Sequence, residues 1–90
     1  MNIEITVRLC QDRETNEFVA HALPIDVSSF GATPDEAERM SSEAVQAFVE
    51  SADAMGTLDD VMSDCGYVRL GQNWVKPQVS EEELSVAVGA

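Results

Sequence analysis

Residues 31–50 read GATPDEAERMSSEAVQAFVE, and this stretch decides the fold. Gly31 breaks the preceding strand pattern. Thr33 followed by Pro34 is typical of a helix N-terminus, because a threonine hydroxyl can cap free backbone N–H groups and proline fits the first helical turn. Glu36 stands three residues after Thr33 and completes a capping-box pattern. The sequence therefore predicts a helix that begins at Pro34.

The same helix continues to about residue 55. Apolar residues recur at spacings of three and four, which predicts one face that packs on a core. The predicted core face consists of Ala37, Met40, Ala44, Phe48, Ala52 and Met55, widened by Val45 and Val49. Gly56 suits the position just after the last helical residue. A helix over residues 34–55 would be about 33 Å long, which is enough to cross a small sheet.

The residues before the helix predict three strands. Residues 2–10 alternate between apolar and polar side chains, which is the pattern of a half-buried strand. The apolar set is Ile3, Ile5, Val7 and Leu9. EFVAHAL predicts a second strand that ends at Pro24, and IDVSSF predicts a third, weaker strand. Because the connections are short, we expect an antiparallel meander.

The residues after the helix predict smaller elements. TLDDVMSDCG predicts a short second helix, capped by Thr57 and ended by Gly66, with an apolar side made by Leu58, Val61, Met62 and Cys65. YVRLGQNWVKP predicts two short strands around a turn. Residues 80–90 carry three acids followed by Leu84, Val86 and Val88 at period two. That tail is compatible with a terminal strand, paired within the chain or with a neighbouring chain.

This order predicts a single α+β domain over residues 1–90. The element order is β-β-β-α-(α)-β, with a small antiparallel sheet of three N-terminal strands and one long helix packed across it. A chain of 90 residues has a small core, so burial of apolar area between copies would add stability. Together with the alternating tail, this predicts a homodimer or a larger homo-oligomer.

The charge of the chain limits its partners. It has 17 acidic residues against 5 lysines and arginines, a net charge of −12, and most of the excess lies in residues 31–66. Such a surface repels phosphate backbones and anionic lipid, so we expect neither direct nucleic-acid binding nor membrane association. The acidic helix is either a solvated face or a docking face for a basic protein. No secretory signal or membrane span is evident, so we expect a cytoplasmic protein.

No arrangement of residues predicts catalysis, a cofactor or a metal, so we expect that the chain is not an enzyme. His21 is the only histidine and lies within a strand, where contact with solvent or a neighbour is its simplest role. Cys10 and Cys65 are far apart and most simply reduced and partly buried, since a zinc site needs several ligands at short spacing. Asp60 and Asp64 could pair on one helix face, but solvated surface acids are the simpler interpretation.

Trp74 is the only tryptophan, and two interpretations of it are open. An exposed tryptophan on a small acidic protein would be a hot spot for partner binding. A half-buried tryptophan would instead anchor the core, and this is the interpretation we favour from its position after a turn.

The order of these segments resembles that of HicB-type antitoxins. The resemblance rests on IEITVRL, on Phe18-Val19-Ala20, on the Leu23-Pro24 corner, and on FGATPDEA continuing as SEAVQAFVE. GTLDDVMSDCGY, W-V-K-P and the LSVAV end extend it over almost the whole chain. The family commonly has Pro-Gly-Cys after the corner, where this chain has Pro24-Ile25-Asp26. Many members also append a DNA-binding module, whereas the residues after Gly66 here look like strands.

The resemblance implies a fold and a function. The fold would be a truncated ribonuclease-H-like domain without that enzyme's metal-binding carboxylates. The function would be that of the antitoxin in a type II toxin–antitoxin system, which neutralises a basic HicA-type RNA-cleaving toxin by binding it. Charge alone points to contact residues on the helix, namely Asp35, Glu36, Glu38, Glu43 and Glu50. The alternative is an orphan domain without a toxin partner, acting as an oligomeric scaffold or binding a small molecule.

Overall fold

Three antiparallel strands form the N-terminal part of the fold. The computed structural model describes residues 1–78 and 82–89. The strands are β1 (Thr6–Gln11), β2 (Phe18–Leu23) and β3 (Val27–Gly31), and they lie side by side in that order. Both pairings are antiparallel, with Val19 directly between Cys10 and Phe30. The predicted meander is confirmed.

Two helices and a hairpin follow the sheet. They are α1 (Pro34–Ala54), α2 (Leu58–Asp64), β4 (Val68–Leu70) and β5 (Asn73–Val75). The hairpin joins the N-terminal residues through two backbone hydrogen bonds. Glu4 N donates to Trp74 O at 3.1 Å, and Trp74 N donates to Asn2 O at 2.8 Å. The predicted α+β class and element order are therefore confirmed.

Two strand predictions were wrong in part. We expected the first strand over residues 2–10, but β1 begins at Thr6, because residues 2–4 pair with β5 instead of β2. The predicted terminal strand is not seen in residues 82–89. Leu84, Val86 and Val88 are there 81%, 76% and 89% exposed, so they do not add to the chain's own sheet. Residues 80, 81 and 90 of that prediction lie outside the described residues.

The predicted start of α1 is confirmed by the hydrogen bond at its N-cap. Thr33 is the N-cap, and its Oγ1 accepts a hydrogen bond from the backbone N–H of Glu36 at 3.1 Å. Pro34 is the first helical residue. The helix ends one residue earlier than predicted, at Ala54, and Gly56 follows with a φ of 73°, which glycine adopts without strain.

The core face of α1 is rotated relative to the prediction. Its buried residues are Ala37, Ser41, Val45, Val49 and Ala52. We expected Met40 and Met55 in the core, but they are 39% and 72% exposed, and Ala44 and Phe48 are only half-buried. The placement of Met40 and Met55 was therefore wrong, and Ala44 is only partly buried. The placement of Ala37, Val45, Val49 and Ala52 is confirmed, and Phe48 packs against the core as predicted.

Small residues on the sheet explain this rotation. Ala20 and Ala22 of β2 are completely buried, and Ala20 lies opposite Ser29 of β3 in the sheet register. Ser29 Oγ donates to Met40 O of α1 at 3.3 Å, so the helix backbone lies close to the strands. A close helix favours the small side chains of Ala37 and Ser41 at the contact and turns the larger Met40 aside.

The second helix completes the core. Leu58 and Met62 are buried, with Val61 and Cys65 half-buried beside them, as predicted. Thr57 is the N-cap residue of α2, as predicted, but its side chain makes no capping hydrogen bond there. Its hydroxyl donates instead to Ala52 O at 3.3 Å and satisfies a carbonyl near the end of α1.

Trp74 lies in the core and is 4% exposed, so the interpretation as a core anchor is confirmed. It packs in one cluster with Tyr67 and Met62, and the Arg69 guanidinium lies 5.7 Å from the centre of its ring. That position excludes Trp74 as an exposed hot spot.

We predict that Gly31→Ala strongly destabilises the protein. A Cβ atom at this position would lie 2.4 Å from the backbone nitrogen of Ala37, so the end of β3 and the first turn of α1 would have to separate. The expected loss in the free energy of unfolding is about 2 kcal/mol or more, measured by urea denaturation. Gly89→Ala is the matched control, since a Cβ atom there meets nothing. Equal stability of the two variants would contradict the prediction.

We predict the opposite effect for Ser41→Ala. Ser41 is completely buried, and its Oγ has no hydrogen-bond partner in the described structure. Replacement by alanine removes an unsatisfied hydroxyl and favours the helix, so we expect a gain of about 1 kcal/mol in the free energy of unfolding. The matched control is Ser42→Ala at the exposed neighbouring position, which should give only the smaller gain that comes from helix propensity. A loss of stability in Ser41→Ala would show that the hydroxyl has a partner.

Candidate partner-binding site

The five acids predicted as contact residues are all exposed on α1. Glu36, Glu43 and Glu50 are seven residues apart, which is about two helical turns. They therefore follow one line along the helix, with about 10 Å between neighbours. Asp35 lies beside this line, whereas Glu38 points well away from it, because two residues correspond to about 200° of rotation. The helix brings four of the five acids to one side.

One further acid belongs to this side and was not among the predicted residues. Asp53 is exposed and stands three residues after Glu50, so the two side chains are neighbours on the helix surface. This three-residue spacing between Glu50 and Asp53 could have been recognised from the sequence. We call Asp35, Glu36, Glu43, Glu50 and Asp53 the acidic flank. Arg39 is the only basic residue of α1.

A groove of about 500 Å³ lies between α1 and the N-terminal residues. Its lining residues are Met1, Asn2, Ile3, Ile5, Ser42, Val45, Gln46, Val49 and Glu50. Aliphatic side chains come from both walls, and polar side chains accompany them. Sequence reasoning did not find this groove, because its two walls are about forty residues apart in the chain.

Glu50 is shared by the groove and the acidic flank. It is the only predicted contact residue that lines the groove, and its Oε1 accepts a hydrogen bond from Gln46 Nε2 at 3.1 Å. A carboxylate beside Ile3 and Val49 can bind a lysine or arginine head group while the aliphatic surface packs against an apolar neighbour. The site is therefore suited to a segment that carries both kinds of side chain.

Tyr67 holds the N-terminal wall of the groove. Its hydroxyl donates to the backbone carbonyl of Glu4 at 2.5 Å, and Lys76 N donates to the side chain of Glu4 at 3.2 Å. Burial raises the pKa of Tyr67 to about 12, and the nearby charges of Cys65 and Glu4 add to this effect. Neutral tyrosine is thus the form that the folded state favours.

This pKa predicts a loss of stability in strong base. In the unfolded chain tyrosine titrates near pH 10, so the unfolded state releases the proton first as the pH rises. The stabilising contribution is fully present below about pH 10 and decreases as the pH rises towards about 12. The decrease in the free energy of unfolding between about pH 10 and about pH 12 should be smaller in Tyr67→Phe, measured by urea denaturation across this pH range. Because the chain has one tyrosine, tyrosinate absorbance reports the pKa directly, and ordinary titration near pH 10 in the folded protein would contradict the account.

The other polar candidates lie apart from this site. His21 Nε2 contacts Asp26 Oδ1 at the end of the sheet between β2 and β3. Both cysteines are free. Cys65 is half-buried as expected, but the expectation for Cys10 was wrong, because it is exposed on β1. No chemistry beyond a surface contact follows from these positions.

Asp60 and Asp64 are exposed on α2, as expected for surface acids. Their neighbour Asp59 lies 3.8 Å from the guanidinium of Arg69. Within residues 1–78 and 82–89, no three His, Cys, Asp or Glu side chains come together in a way that could hold a metal ion. In the same part of the chain, no helix is both long and apolar enough to cross a membrane.

Comparison with models of known protein families, with curated proteins and with solved structures finds no match to this chain.

Proposed function

We propose that the chain is a HicB-like antitoxin of a type II toxin–antitoxin system. In this role it binds a small basic RNA-cleaving toxin of the HicA type and covers the toxin's RNA-binding or catalytic surface. The observation that carries the proposal is the acidic flank, which places exposed carboxylates in a line along α1 of a chain with a net charge of −12. The order of the sequence segments, which resembles that family, supplies the partner's class.

Charge supports this partner in two ways. A toxin that binds RNA needs a cationic surface, and the acidic flank is complementary to such a surface. Opposite charges also raise the rate of encounter between the two proteins, which suits an inhibitor that must act before the toxin reaches RNA. The groove beside Glu50 adds an apolar contact for an aliphatic or aromatic residue next to a basic one.

The groove also favours a second candidate function. Its volume of about 500 Å³ is within the range of small-molecule pockets. A chain without a toxin partner could bind an apolar molecule with a cationic group between Ile3, Val49 and Glu50. In that case a charge reversal at Glu36, outside the groove, would leave binding unchanged.

Self-association belongs to the proposal as well. The core is small, and Leu84, Val86 and Val88 are exposed in the described tail, where a neighbouring chain would shield them from water. We also propose that the protein acts in the cytoplasm, where its RNA-cleaving partner would act.

Charge reversal on the acidic flank tests the proposed function. We expect Glu36→Lys, Glu43→Lys and Glu50→Lys, combined in one variant, to weaken binding of a purified basic toxin of the HicA type. The expected increase in Kd is about tenfold to hundredfold, measured by isothermal titration calorimetry. The control is Asp59→Lys, Asp60→Lys and Asp64→Lys on α2, which changes the net charge by the same amount.

Two results would contradict the proposal. Equal weakening by both triple variants would show that net charge alone attracts the partner and that the acidic flank is not the contact surface. Absence of binding at micromolar concentration between the unaltered chain and a toxin of the HicA type would contradict the proposed partner. Circular dichroism of each variant confirms that the fold is intact.

A further inference from the structure

The backbone of Ile3 has an unpaired donor and an unpaired acceptor. Asn2 O and Glu4 N make the two hydrogen bonds with Trp74 that join the N-terminal residues to β5. Successive residues of an extended strand direct their N–H and C=O groups to opposite edges, so those of Ile3 point away from β5. Among residues 1–78 and 82–89, no hydrogen bond uses either group. Ile3 also lines the groove, so these two polar groups lie at a partner-accessible edge.

The same edge continues along β1, which is the outermost strand of its sheet. Asp12 N donates to Glu17 O at 2.8 Å, so the even-numbered residues of β1 pair with β2. Val7 and Leu9 therefore direct their N–H and C=O groups to the other side, as Ile3 does. Apolar side chains alternate without interruption from Ile3 to Leu9. We call this side of residues 3–9 the open edge, and it is about 20 Å long.

The groove supplies side-chain contacts next to the open edge. Ile3 and Ile5 form one wall, and Val45 and Val49 of α1 form the other. Glu50 lies at the border, where the hydrogen bond from Gln46 holds its carboxylate at 3.1 Å. A strand added to the open edge would direct every second side chain into this space, where it meets aliphatic walls and one carboxylate.

We propose that an extended basic segment of the partner protein adds to the open edge as a further strand. Backbone hydrogen bonds would provide affinity, and the groove would select the side chains. The segment carries an aliphatic residue, which packs between Ile5 and Val45, and two positions away an arginine or lysine, which binds Glu50. This inference rests on the proposed function only for the identity of the protein that carries the segment.

The open edge and its charge identify this occupant. A small molecule in the groove would leave the row of peptide groups from residue 3 to residue 9 unpaired, whereas an extended peptide pairs with them. The chain's own tail alternates in the same way at Leu84, Val86 and Val88, but Glu82 and Glu83 precede these residues. Docking of that tail from another copy would bring its acids towards Glu50, so a basic segment is favoured.

Synthetic peptides with blocked ends test the strand pairing. The probe is TLTRTLT, in which leucine and arginine share one face, and its binding to the unaltered chain is measured by isothermal titration calorimetry. Two further versions carry N-methyl groups, one on the leucines and the arginine and the other on the threonines. Because only one edge of the peptide pairs with the chain, one version should lose binding and the other should keep it. Equal affinity of the two versions, or no binding of the probe up to millimolar concentration, would overturn the proposal.

Variants of the chain test the role of Glu50. Glu50→Gln removes the charge and keeps the shape, so it should weaken binding of TLTRTLT about tenfold. Glu43→Gln is the matched control, since Glu43 belongs to the acidic flank but does not line the groove, and its Kd should stay within about twofold of the unaltered value. Equal weakening in both variants would show that distant charge alone attracts the peptide and would overturn the proposal.

Two further titrations separate this proposal from its alternatives. A peptide of residues 82–89, EELSVAVG, should not bind, and binding as tight as that of TLTRTLT would assign the open edge to another copy and overturn the proposal. A HicA-type toxin that binds Glu50→Gln and Glu43→Gln with equal affinity would also overturn it, while the proposed function would stand. Peptide binding with the expected dependences, together with no toxin binding, would support the open edge and contradict the toxin as partner.

Discussion

The close contact between Gly31 and the first turn of α1 is the constraint on which the rest of the structure depends. A single added carbon atom at Gly31 would lie 2.4 Å from the nitrogen of Ala37. Further along the interface, Ala20 and Ala22 meet the helix with side chains no larger than a methyl group. The helix therefore rests almost directly on the strands, and its rotation about its own axis is fixed by which residues are small enough to face them.

That rotation decides which side chains of α1 face outward. Ala37 and Ser41 face the sheet together with Val45 and Val49, so the acids of the acidic flank are left on the exposed surface of the helix. At Glu50 the acidic flank adjoins a groove with aliphatic walls. One packing constraint thus leaves exposed carboxylates and an apolar groove next to each other on α1.

Local features of this fold could be predicted, and long-range ones could not. The Thr33 cap, the meander and the turn between β4 and β5 depend on neighbouring residues, so their patterns are readable in the sequence. The rotation of α1 depends on alanines of β2 that lie more than ten residues away, and the apolar spacing fitted two overlapping faces. The groove depends on pairing between the N-terminal residues and β5. The exposure of the contact acids was predictable, but their alignment beside the groove was not.

The account makes one central claim, that the exposed carboxylates of α1 are the surface that binds a basic partner. The most direct test is the dependence of this binding on salt concentration, because salt screens charge. In titration calorimetry with a purified HicA-type toxin, the Kd of the unaltered chain should rise as salt rises, and the combined variant Glu36→Lys, Glu43→Lys and Glu50→Lys should lose most of this dependence. A Kd that does not change with salt, or an equal dependence in the variant, would contradict the claim.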